Sequence, residues 1–125
     1  MVFDWKEYIN LSKFLLSEEN RFSHEEASWR CAISRVYFAA FCYARNTAVE
    51  LYKLDVTGTD KDHPNVRQCY RENRLGRIAS KLDQLRIWRN MCDYENVIEQ
   101  DLEQLAKDAV KFAENVYDWI PSQTY

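Results

Sequence analysis

The chain has 125 residues and a formal net charge of −3, enough for one domain, 1–125, with a real core. Its 2 glycines and 2 prolines are too few for the turns of a sheet protein, and the balance of 46% hydrophobic to 30% charged residues is that of an ordinary globular chain. No run of about 18 apolar residues occurs, so no segment is expected to span a membrane. The start, Met1 to Lys6, lacks the basic and then apolar pattern of a secretory leader, so a cytoplasmic location is expected. Cys31, Cys42, Cys69 and Cys92 are scattered without paired spacing. They read as reduced core thiols rather than a zinc site, a disulfide framework being the lesser reading. An aromatic content of 14% points to a thick core or a dimer face.

The first helix is expected from Asp4, with Asp4 and Glu7 as a capping box and Phe3 as a staple, to about Asn20. Trp5, Tyr8, Ile9, Leu15 and Leu16 recur at helical spacing. Ser23, Glu25 and Glu26 announce a second helix that runs without Gly or Pro to about Leu54. Its middle, Cys31 to Ala44, is apolar nearly all round, which marks a central helix. Alanines 39, 40 and 44 allow close neighbours. A polar loop, 55–64, precedes a short helix in which Val66, Cys69 and Tyr70 point inward. Pro64 suits its first turn. His63, just before Pro64, reads as a helix-cap residue; a catalytic role for it is the lesser reading.

A break at Asn73 to Gly76, supplied by Gly76, is expected before a helix over Leu75–Cys92. At about 100° per residue, Leu75, Ile78, Leu82 and Leu85 form one stripe. Arg89 continues that stripe. A guanidinium there is costly unless it is paired or sits at a wet seam. A last helix is expected from about Asn96, with Glu99 three residues on, to Pro121. The sum is an all-α, up-and-down four-helix bundle with one additional short helix.

Charge is segregated along the chain. Val66 to Arg89 carries seven basic residues against Glu72 and Asp83, and Glu95 to Asp118 carries seven acids against Lys107 and Lys111. Either two helices pack with complementary flanks, or a basic face for phosphates stands beside an acidic wall. Arg35 reads as a buried ion-pair partner of Asp83 or Asp93. Arg30 reads as a partner of Glu26, one turn away.

Two patches carry a resemblance. The first runs from Glu26 to Phe41 and contains Ala32-Ile33-Ser34-Arg35-Val36-Tyr37-Phe38-Ala39-Ala40-Phe41; the second is Leu85-Arg86-Ile87-Trp88-Arg89-Asn90-Met91-Cys92-Asp93-Tyr94. Together they resemble a small standalone HEPN domain, over nearly the whole chain in helix order and length. The resemblance implies an all-α homodimer of the kind that binds or cleaves RNA without metal. Its motif is an arginine, a polar residue, and a histidine after a short gap, two such motifs meeting across the dimer. It also implies a toxin–antitoxin or defence setting and a minimal nucleotidyltransferase as partner. Arg89 matches the motif arginine and Asn90 the polar residue. Four residues intervene before Tyr94, which stands where the histidine belongs.

Metal-free RNA cleavage removes a proton from the 2′-hydroxyl and protonates the leaving 5′-oxygen. Imidazole suits both steps, whereas a phenol, with an ordinary pKa of about 10, is a poor base. Arg89 suits bidentate neutralisation of a phosphate, Asn90 would orient it, and Asp93 would be a weak base or Arg89's own partner. The expected site is therefore Arg89, Asn90, Asp93 and Tyr94, with Arg67, Arg71, Arg74 and Arg86 as the surrounding RNA or nucleotide contacts. No metal or other cofactor is expected. The leading expectation is an RNA- or nucleotide-binding protein with ribonuclease activity weak or lost. The alternatives are an active endoribonuclease using Arg89, and a helical adaptor that docks a protein partner without RNA.

Overall fold

The computed structural model describes residues 2–121 and consists there of five helices without strands. They are α1 (Lys6–Leu15), α2 (Glu25–Tyr52), α3 (Asp62–Glu72), α4 (Gly76–Tyr94) and α5 (Leu102–Trp119). The fold is an all-α bundle of four main helices and the short α3. The long α2 packs against every other helix, and α1, α5, α4 and α3 fan around it in that order. Its fully buried Ala32, Ala39, Ala40, Ala44 and Ala48 let neighbours come close. Two tyrosines use that closeness. Tyr70 of α3 donates to the Ala44 carbonyl at 2.8 Å, and Tyr117 of α5 to that of Ala39 at 3.4 Å. Both aromatic bodies are thereby packed with their polar tips satisfied.

The helix ends differ from the sequence reading, each for a local reason. Asp4 does cap α1, accepting from the Lys6 N–H at 3.0 Å, and Phe3 packs on Tyr8 as a staple. Glu7 bonds Asn10 instead of closing a capping box. The helix stops at Leu15, not Asn20, because the Asn20 amide turns back to the Leu15 carbonyl at 3.0 Å. The α2 N-cap is His24 without a side-chain cap bond, so Ser23 closes no capping box. α5 starts at Leu102 rather than near Asn96, because Asp101 supplies the cap through the Gln104 N–H.

The corner between α3 and α4 is made by Arg74, not Gly76. Arg74 is left-handed, with φ 63°, and Gly76 is already helical. The Leu75 N–H returns to the Tyr70 carbonyl at 2.8 Å and the Arg74 N–H to that of Arg71 at 3.2 Å. This is the paired hydrogen-bond pattern of a Schellman ending. It folds α4 back along α3, so that the start of α3 and the end of α4 lie together.

The cysteines are free; Cys42, Cys69 and Cys92 are buried, but Cys31 is exposed rather than a core thiol. No described helix is long and apolar enough to cross a membrane.

Candidate functional site

The apolar stripe of α4 is as expected: Ile78, Leu82 and Leu85 are buried. One turn on, Arg89 is half-buried and its Nε lies 2.9 Å from Asp93 Oδ2, an ion pair whose angle falls outside hydrogen-bond geometry. Its Nη1 donates to Asn90 Oδ1 at 2.9 Å. Asp93 also accepts from Ser34 of α2 at 3.4 Å. Three of the four expected site residues are therefore one connected group, with Asp93 as the arginine's partner. The fourth, Tyr94, ends the helix and is 74% exposed at the rim.

Arg86 differs from Arg89. The Nε of each is buried without a hydrogen-bond partner, but among the described residues no ion pair reaches Arg86. Arg86, Arg89, Asn90 and Tyr94 form one wall of an open cleft of about 440 Å³. Phe38 of α2 lies beneath Arg89, whose guanidinium carbon is 5.0 Å from the ring centre. The opposite wall is His63 and Asp60.

His63 is the residue whose place the sequence reading missed. It caps no helix: the N-cap of α3 is Lys61, without a side-chain bond. Its ring instead turns inward, stacked on Phe41 at 4.1 Å, and Nδ1 is hydrogen-bonded to the Tyr37 hydroxyl. What fixes it there is Asp62. That buried carboxylate accepts from the Thr57 N–H at 2.7 Å, the Thr57 hydroxyl at 2.8 Å and the Gly58 N–H at 2.8 Å. Gly58, with φ 73°, supplies the left-handed turn this wrapping needs. The bonds from Thr57, ahead of those from Gly58, hold the Asp62 carboxyl below its ordinary range.

The electrostatics of the cleft follow first from burial and then from the arginines around it. His63 is pushed down from its ordinary value, first by burial and then by the Arg86 and Arg89 guanidinium groups, so its neutral form is favoured. Tyr37 is pushed up by burial against the pull of Arg86, Arg67 and Arg89, so it keeps its proton. Arg67 stands just behind, its Nε 3.6 Å from Asp83.

Of the four arginines expected to surround the motif, Arg86 and Arg67 are at or behind the cleft. Arg71 is exposed one turn beyond Arg67, and Arg74 is at the far corner of the α3–α4 hairpin. Arg35 is not an ion-pair partner of Asp83 or Asp93, because Arg67 and Arg89 hold those carboxylates. It lies over the Tyr8 and Phe38 rings, 5.4 Å and 5.6 Å from their centres. Arg30 does pair with Glu26, at 3.0 Å, and also donates to the Cys92 carbonyl at 3.1 Å and the Glu95 carbonyl at 2.6 Å. Among the described residues, no ion pair joins the basic flank of α4 to the acids of α5, so the complementary-flank arrangement is not formed by direct pairs. Nor do three His, Cys, Asp or Glu side chains gather among the described residues in a cluster that would hold a metal ion.

His63 did have a signal in the sequence. It precedes Val66 by three residues and Tyr70 by seven, which puts it on their inward stripe. Chemically, the cleft offers two guanidinium groups, an amide and an imidazole around an open space, a donor set suited to an oxyanion. Set against known protein families, curated proteins and solved structures, the chain matches none.

Proposed function

We propose that the protein binds RNA, or a nucleotide-bearing partner, by taking a phosphate into the cleft between His63 and Arg86. The observation that carries this reading is Arg86, a cation at the cleft whose Nε is buried without a partner. A buried guanidinium donor left unsatisfied is costly, and a phosphate oxygen would relieve it. Arg89, already tied to Asp93 and Asn90, would add its remaining N–H groups. On the HEPN resemblance, the protein acts as a homodimer in a toxin–antitoxin or defence module, with a minimal nucleotidyltransferase as the class of partner. Ribonuclease activity is weak or lost in this reading, since Tyr94 occupies the histidine's place.

The test is fluorescence anisotropy with a labelled single-stranded RNA at several salt concentrations. Wild type binds with a clear salt dependence. Arg86→Ala loses about tenfold in affinity, roughly 1.4 kcal/mol, while Arg77→Ala, at the other end of α4, binds as wild type. An RNA affinity that is absent, or untouched by Arg86→Ala, overturns the reading and leaves the adaptor alternative. A second reading, cleavage of RNA, is favoured by His63 in the cleft. It predicts metal-free digestion of RNA that Arg89→Ala abolishes.

A further inference from the structure

Resting on the phosphate-binding reading of the cleft, we infer that Tyr37 locks His63 as its Nε2–H tautomer, so that the imidazole serves as a neutral hydrogen-bond donor to a non-bridging phosphate oxygen. The argument begins at the buried hydroxyl. Tyr37 is 1% exposed, and among the described residues its hydroxyl bonds only to His63 Nδ1. A phenol that keeps its proton must place it on an acceptor. The Arg67, Arg86 and Arg89 groups around it only donate, and Nδ1 is the acceptor within reach. When Nδ1 of a neutral imidazole accepts, the ring's one proton is on Nε2. That nitrogen makes no hydrogen bond among the described residues, and the ring lines the cleft.

The charged alternative is disfavoured on balance. An imidazolium would set a second donor against the Tyr37 proton and stand among the guanidinium groups of Arg86 and Arg89 on α4 and Arg67 on α3. Asp60, on the preceding loop, is the carboxylate that favours it; Asp62, the adjacent one, is turned into the Thr57–Gly58 wrap. Half-buried Asn90 and Phe38 bring no charge. A neutral donor suits this cleft, where two arginines already supply the charge for a phosphodiester and a third cation would be expelled. It also settles what His63 does not do. With the Nε2 lone pair committed to the ring and its proton in place, that nitrogen has no site to receive the 2′-hydroxyl proton. His63 is then a phosphate ligand, in the manner open to any imidazole held neutral near an electrophilic task.

The experiment has two arms. In ligand-free protein, long-range proton–nitrogen NMR of the histidine rings reads the tautomer directly. The Nε2–H pattern is expected for His63 at neutral pH and is expected to persist below the ordinary 6.5 of histidine. Tyr37→Phe, which removes only the hydroxyl, is expected to release the tautomer into a mixture. An Nδ1–H pattern, an imidazolium at pH 7, or an unchanged spectrum in Tyr37→Phe overturns the inference. In the second arm, a labelled oligouridylate 12-mer is bound to wild type, Arg86→Ala and His63→Phe, the last keeping the ring stack. His63→Phe is expected to lose about fivefold. If it loses nothing while Arg86→Ala does, the donor role fails and the phosphate reading stands. If Arg86→Ala loses nothing, the phosphate reading fails whatever the NMR shows.

Discussion

The two ends of α4 hold their cations in opposite ways. At the beginning, Arg77 lies over the Trp119 ring at 4.3 Å and Lys81 over the Phe112 ring at 3.5 Å. Those charges rest on the aromatic faces of α5. At the end, Arg86 and Arg89 face a cleft; the Phe38, Tyr37 and Tyr94 rings lie 5.0–5.9 Å from the Arg89 guanidinium, and among the described residues Arg86 rests on no ring. The same helix and the same residue types therefore give a structural seam at one end and an open donor set at the other. The basic count of a helix does not distinguish them; what faces each guanidinium does.

The sharpest way to break this contrast is to loosen the wall opposite Arg86 without touching an arginine. Asp62→Asn removes the carboxylate that gathers Thr57 and Gly58, and Tm should fall on the order of 5 °C in a thermal melt. RNA affinity should fall with it, because His63 is the next residue. The pH dependence has a definite sign. The folded-state pKa of Asp62 is depressed, so its contribution is present above the ordinary value of 3.8 and is lost as pH falls through the folded value. The variant should lack that acid limb. A melt of Asp62→Asn that tracks wild type down to pH 3 contradicts the assignment. His63 adds its own limb, since its depressed pKa makes stability decline as pH drops below the ordinary 6.5.

A smaller effect belongs to the closed end. Lys81→Ala should lower Tm by about 2–4 °C, the worth of a partly exposed cation–π contact of roughly 0.5–1 kcal/mol, and leave RNA affinity unchanged. A loss of RNA binding there would erase the distinction between the ends. The smallest effect is expected at the corner: Arg74→Gly relieves a left-handed non-glycine residue and should raise Tm by no more than about 4 °C.

Most of the helical architecture was legible because it depends on neighbours in sequence. Ile78, Leu82 and Leu85 repeat at the helical period, and α2 runs without Gly or Pro. Arg89 stood out for the same reason, as a charge on an apolar line. Its pairing with Asp93 was also within local reach, one turn apart. His63 was read as a cap because its role is decided by partners far along the chain, Tyr37 and Phe41 on α2 and the α4 arginines. The wrap around Asp62 depends on loop geometry that a Thr-Gly-Thr spacing does not announce. The caps expected near Asn96 and Ser23 are not formed, Asp101 capping α5 and no side chain capping α2, because many polar residues can satisfy a helix end and the packing of the helix decides which one, if any, does. Arg35 went to the Tyr8 and Phe38 faces because nearer arginines had already taken both carboxylates.

The left-handed Arg74 has a mechanical consequence. From the corner to Arg89, α4 is a rigid arm about 20 Å long, so a tilt of only about 5° at that joint would move the arginine wall nearly 2 Å relative to His63. A displacement of that size separates a donor within hydrogen-bond reach of a phosphate from one that misses it. The width of the cleft is thus tied to the far corner of the α3–α4 hairpin. One backbone joint acts as the adjusting screw, and the cations seated on Phe112 and Trp119 clamp the arm near its pivot.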